Sequence, residues 1–167
     1  KEYAKEVLYA QRMSKRLNEF LSGASDALQL AARAQHICRW EIPRSDYPLG
    51  RKGYNQWRAA LKVLHADKTA DILDGIGYEK ELIDRVKFLI LKKQLKRDKE
   101  TQALEDVICL VFLEYYFLPF AEKHSEEKVI EILQKTWKKM SVQGQQAALQ
   151  LPLNEKAMAL IGKALDK

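Results

Sequence analysis

Glycine and proline are scarce in this chain, seven and four among 167 residues, which argues against a structure made of many tight turns. No stretch alternates apolar and polar residues well enough to read as a strand. Cysteine is limited to Cys38 and Cys109. Both lie in apolar surroundings with no partner nearby in sequence, so reduced core thiols in a cytoplasmic protein are expected. Long hydrophobic runs are missing as well: the longest, Val107 to Phe120, is broken by Glu114 and is too short to span a bilayer. No signal peptide, low-complexity tract, fixed-period repeat or linker interrupts the pattern. A single domain over residues 1–167 is the expectation. The pattern is already helical at Lys1, as it would be if native residues preceded it.

Alanine, leucine, lysine, glutamate and glutamine fill the long stretches instead, and these residues lose little on entering a helix. With 47% hydrophobic residues, the chain has enough apolar side chain to fold. The spacing predicts an all-α, single-domain helical bundle of about six to eight helices. A first helix carries Val7, Leu8, Met13, Leu17 and Leu21, and Ser22-Gly23 closes it. Ser25 caps a second, from Asp26 to about Glu41, with Leu28, Ala32, His36 and Trp40 on one face. A loop punctuated by Pro43, Pro48, Gly50 and Gly53 follows. A third helix then runs to about Asp74, with Trp57, Leu61, His65 and Ile72 on one stripe. The fourth covers Glu79 to Lys93, with Leu82, Val86, Leu89 and Ile90 inward. The fifth covers about Glu100 to Phe117, and the sixth Glu126 to Met140 with Val129, Leu133, Trp137 and Met140 buried. Weaker pattern occupies Gln143 to Leu149, and a final helix from near Pro152 ends at Leu165.

The formal charge of +6 is unevenly spread. Residues 33–68 hold eight Arg or Lys against three acids, and residues 87–99 hold six against one. An anionic small molecule such as a nucleotide is one partner this suggests, and nucleic acid is another; solvated helix faces are the plainer reading. No glycine-rich phosphate loop is present, so bound phosphate would have to be held by side chains. Arg39, Arg44, Arg51, Lys52, Lys92, Lys93 and Lys96 are the candidates. The stretch from Trp40 to Trp57 mixes aromatic with basic residues, Tyr54 among them. It can hold a ligand by stacking and charge, or simply be pinned to the core by its aromatics.

Three residues look misplaced on apolar stripes. Asp106 is in helical register with Leu110, Leu113 and Phe117, where a carboxylate is costly unless hydrogen-bonded, ion-paired or bound to a metal. Two readings stand: a functional group, or a structural cap or ion pair. Glu105 points about 100° away, so only one of the two faces straight inward. His36 and His65 are each either a metal ligand or proton carrier, or a satisfied core histidine. His124 sits among charged residues and reads as a surface group. No His-Glu-x-x-His or Cys-x-x-Cys pattern occurs, so a metal site would have to be assembled from separate helices.

Four stretches carry a resemblance: Leu8-Tyr-Ala-Gln-Arg-Met13, Ala31-Ala-Arg-Ala-Gln-His-Ile-Cys-Arg-Trp-Glu-Ile-Pro-Arg44, Leu104-Glu-Asp-Val-Ile-Cys-Leu-Val-Phe-Leu-Glu114 and Leu133-Gln-Lys-Thr-Trp-Lys-Lys-Met140. Through them essentially the whole chain is similar to the uncharacterised family called Domain of Unknown Function 4202, which implies no activity. More distantly, the chain resembles the HD superfamily of helical metal-dependent phosphohydrolases. That resemblance implies an HD-like core, with His36 in place of the paired histidine and Asp106 in place of the last aspartate. His65, in His65-Ala-Asp-Lys-Thr-Ala-Asp-Ile-Leu73, resembles a downstream histidine. Gln11 replaces the first histidine and Ile37 the paired aspartate, and Ile37 cannot bind a metal.

The resemblance thus implies a metal-dependent phosphohydrolase acting on a nucleotide or other phosphate ester. One divalent ion would be held by His36 and Asp106, with His65 or Glu41 assisting and His65 also able to carry a proton. Arg39, Arg44, Arg51, Lys52, Lys92 and Lys93 would neutralise phosphate, in a pocket completed by Gln11, Trp40, Tyr54, Trp57 and Glu105. Two alternatives need no metal. One is a non-catalytic module that senses a nucleotide or small anion in a degenerate HD-like pocket. The other is a nucleic-acid or protein interaction module that uses the basic faces.

Overall fold

Why the chain forms helices is plain from its caps and stripes. A computed structural model describes residues 2–166, with side chains from Lys5 onward. Among these residues there are nine α-helices and no strand. They divide between two compact units, one reaching to Thr101 and the other starting at Gln102. No helix among the described residues is long and apolar enough to cross a membrane.

The first unit contains α1 (Glu2–Phe20), α2 (Asp26–Arg33), α3 (Gly50–Gly75) and α4 (Lys80–Ile90). Helix α2 packs on α1 and α4, and α3 packs on α4. Met13, Leu17, Leu28, Leu61, Val86, Leu89 and Ile90 are buried within it. Ser25 caps α2 as its sequence predicts, its Oγ accepting the Leu28 N–H at 3.2 Å. The same hydroxyl donates to Glu100, whose carboxylate also takes Arg85 at 2.6 Å. Arg85 forks onto both oxygens of Asp98 at 2.9 and 3.0 Å, and Asp98 in turn accepts the Thr101 N–H at 2.9 Å.

Several predicted boundaries are corrected here. Helix α2 stops at Arg33, and residues 34–38 form turns that lead into a 3-10 turn at Arg39–Glu41. Beyond Gln35, His36, Ile37 and Cys38 are weak helix formers, and Cys38 takes a left-handed backbone at φ 52°. Pro43 then forces Ile42 toward an extended backbone. The face Leu28, Ala32, His36, Trp40 therefore does not exist as such. Helix α3 starts earlier than its glycines suggest, at Gly50, so that Arg51, Lys52 and Tyr54 lie on its first turns. Its true stripe is Leu61, His65, Ala66, Thr69 and Leu73, while Ile72 is exposed. After α4 the backbone turns through left-handed conformations at Lys92, Gln94 and Lys96, so the predicted helix does not reach Lys93. On α1, Val7 and Leu8 face outward and Tyr9, Met13 and Leu17 inward.

The second unit holds most of α5 (Lys99–Val111), then α6 (Phe117–Ala121), α7 (Glu126–Lys139), α8 (Val142–Leu149) and α9 (Glu155–Leu165). Helix α7 packs on α6 and α9. Val129, Leu133 and Met140 are buried, as their spacing predicts. Between α5 and α6 the expected unbroken helix widens into a π turn, Phe112–Tyr116. Pro119 lies just beyond: its ring crowds the carbonyl four residues back and it has no N–H to donate. A wider turn in front of it relieves both conflicts.

Candidate functional site

The polar residues of interest fall into two sets, one in each unit. In the first unit, Thr69 on α3 donates its hydroxyl to the His65 carbonyl one turn back, at 2.6 Å. The imidazole of His65 is 4% exposed, and its Nδ1 lies 2.6 Å from the Ile37 carbonyl oxygen. A carbonyl can only accept, so Nδ1 carries the hydrogen and Nε2 presents its lone pair. Among the described residues Nε2 has no hydrogen-bond partner.

His36, in the turn after α2, lies 6.2 Å from His65 between ring centroids. Its ring is stacked on that of Tyr9 from α1, with centroids 3.6 Å apart and planes within 9°. Its Nδ1 is 3.2 Å from Glu6 Oε2. Arg39 completes the cluster. Its guanidinium sits 4.7 Å above the Trp57 ring, whose Nε1–H donates to the Ile42 carbonyl at 2.9 Å. Arg39 Nη1 is buried and has no hydrogen-bond partner among the described residues. The Tyr54 ring lies 5.8 Å from Trp57 and is about half exposed.

These groups act on one another electrostatically. Burial is the largest cause that pushes His36 down to about 4, and the Arg39 and Arg58 charges add to it against the pull of Glu6. His65 is likewise pushed down to about 4 by burial first, with His36, Arg39 and Arg58 assisting and the bond to Ile37 opposing. Burial alone would raise Glu6, but the His36 contact and the Arg39 charge outweigh it and hold the carboxyl below its usual range. Both imidazoles are therefore neutral at neutral pH, beside two arginines and one carboxylate.

Asp106, in the second unit, has partners of its own there. Its Oδ1 accepts the Ser141 N–H at 2.8 Å and the Gln102 amide at 3.0 Å, and its Oδ2 accepts the Ser141 hydroxyl at 2.5 Å. Ser141 caps α8, taking the Gly144 N–H at 3.0 Å. A Cβ at Gly144 would lie 2.6 Å from Asp106 Cγ. The carboxylate is thus seated against the start of α8, the arrangement that a structural cap requires. Glu105 is buried in the same unit.

The other candidates are dispersed. Glu41 pairs with Lys68 at 3.0 Å near the surface. Arg44 donates to the Tyr47 and Pro48 carbonyls, each at 2.9 Å, and so fastens its own loop. Gln11, Arg51, Lys52 and Lys93 are exposed, Trp40 only slightly less so, and Lys92 lies in the turn after α4. Neither Cys38 nor Cys109 forms a disulfide. Among the described residues no three His, Cys, Asp or Glu side chains are grouped so as to hold a metal ion. Both oxygens of Asp106 accept hydrogen bonds from groups of its own unit.

Glu6, Tyr9 and Arg58 belong to the cluster without having been singled out from sequence. The spacing Glu6, Tyr9, Met13, Leu17, Phe20 was the available signal. It is a helical stripe whose first member is a carboxylate.

One family model, Domain of unknown function (DUF4202), matches the chain over residues 1–161. No curated protein and no solved structure matches it.

Proposed function

The chain belongs to the DUF4202 family, and we propose that it acts there as a binding module for a small phosphate-bearing anion, seated at Arg39 beside His36 and His65. The observation that carries this reading is the buried, unpartnered Nη1 of Arg39. A guanidinium 4.7 Å over the Trp57 ring has lost part of its hydration, and a donor left without an acceptor costs about 1–3 kcal/mol. An oxyanion supplies the acceptor. Arg58, whose charge is felt at Arg39, His36 and His65, adds a second positive field. Glu6 is the opposing charge, and its contact with His36 engages part of it. Tyr54, exposed beside Trp57, offers a face against which the rest of such a ligand can lie.

Calorimetric titration with inorganic phosphate tests this. Binding by the wild type is expected, with a loss of about tenfold or more in Arg39→Gln and none in Lys93→Gln. Absence of phosphate binding sinks the reading. The runner-up is a cytoplasmic HD-type hydrolase working on the same phosphate group. It requires a divalent ion, and the occupied oxygens of Asp106 weigh against that. Turnover of a phosphate ester that depends on added manganese and is lost in His36→Ala would replace binding with hydrolysis.

A further inference from the structure

We propose that the outward face of α3 is a self-association surface, on which a second copy of this chain lays its own α3 antiparallel. The charges of this helix are placed the wrong way round for a helix on its own. From Gly50 to Ala66 it carries Arg51, Lys52, Arg58 and Lys62 and no acid, whereas Asp67 to Asp74 holds three acids against Lys68. Cations at the start and carboxylates at the end both oppose the macrodipole. An antiparallel neighbour of the same sequence relieves the conflict, because it brings the acidic end of each helix beside the basic end of the other.

The layout of the face suits that partner. Lys52 and Asp74 lie eleven positions before and after Val63, which at 100° per residue leaves each within about 20° of its direction. All three are exposed, Val63 at 52%. Asp67 is engaged by Lys87 at 2.9 Å, but no ion pair among the described residues engages Lys52 or Asp74. A two-fold axis at Val63 therefore sets this residue on its own copy and, at both ends, Lys52 opposite Asp74 of the second copy. The small side chains of Ala59 and Ala60 let the two helices approach. Beside them lies a groove of about 480 Å³, lined by Ile42, Ala60, Val63 and Leu64 together with Asp67 and Asp71, whose apolar surface the pairing buries.

Sedimentation equilibrium of the purified protein at concentrations up to about 1 mM tests this. A mass rising toward twice the 19.4 kDa of the chain is expected, and a monomer throughout overturns the proposal. Lys52→Glu and Asp74→Lys are each expected to weaken dimerisation by at least about threefold, since symmetry sets two like-charge contacts in place of two ion pairs. Both changes run with the macrodipole, so neither variant should melt below the wild type, which a thermal scan of dilute protein checks. The double variant Lys52→Glu/Asp74→Lys restores the pairing in reverse and is expected to return to within about twofold of the wild type. A dimer that neither single change weakens, or that the double change does not restore, lies elsewhere on the chain and overturns the assignment.

Discussion

His65 donates its Nδ1 proton to the Ile37 carbonyl at 2.6 Å, across 28 positions of chain. One hydrogen bond thereby fixes two things. It holds the turn that carries His36 and Arg39, and it sets the tautomer of His65.

The acid sensitivity of the fold follows from the two imidazoles. Each is pushed down to about 4 in the folded chain, whereas unfolded histidine titrates near 6.5. Between these values the unfolded chain binds more protons, so stability rises with pH there. It is complete above about pH 6.5 and is lost as pH falls toward about 4, on the order of 2–3 kcal/mol for each histidine. Asp98, held at about 2 by Arg85, acts in a lower window: its contribution is present above about pH 4 and disappears as pH falls through about 2. Urea denaturation at a series of pH values should show the first loss in the wild type. A curve for His36→Gln that is as steep between pH 6.5 and 4 as the wild type's would contradict this assignment.

Asp106 is expected to behave as a structural group. Removing it leaves the Ser141 N–H and hydroxyl without their acceptor at the start of α8. Asp106→Ala should cost about 2–4 kcal/mol in urea denaturation, and Asp106→Asn, which keeps one oxygen, clearly less. Ser141→Ala should cost about 1 kcal/mol through the lost cap. An Asp106→Ala protein as stable as the wild type would rule out the capping role.

Sequence legibility followed burial. The stripes of α7, with Val129, Leu133 and Met140, and the serine cap of α2 were readable because apolar period and cap chemistry are local. The end of α2 is not legible, since Ala34 and Gln35 beyond it are good helix formers that continue the pattern. Asp106 stood out correctly as a carboxylate among apolar neighbours. Its partner Ser141 is 35 positions away, and pattern alone does not distinguish a helix N-terminus from a metal. Glu6 is not legible, because Val7 and Leu8 next to it have the apolar character of an inward pair, although they are exposed at 52% and 43%.

Gly53 is required by proximity. A Cβ there would stand 1.9 Å from the Pro48 carbonyl oxygen, the atom that Arg44 also grips. Gly53→Ala must push the first turn of α3 away from the loop, and should lower stability by about 1–3 kcal/mol. It should also speed proteolysis between Arg44 and Lys52, which limited trypsin digestion measures. A variant with wild-type stability and cleavage would mean that the contact is dispensable.

The π turn at Phe112–Tyr116 has a genetic consequence. Such a turn holds one residue more than an ordinary helix needs. Losing a single codon there would restore regular helical geometry with the downstream residues close to their present phase, whereas gaining one would rotate them by about 100° about the axis. Phe117, wholly buried, would in the second case swing off its side of the helix. This five-residue stretch should therefore tolerate the loss of one residue far better than the gain of one.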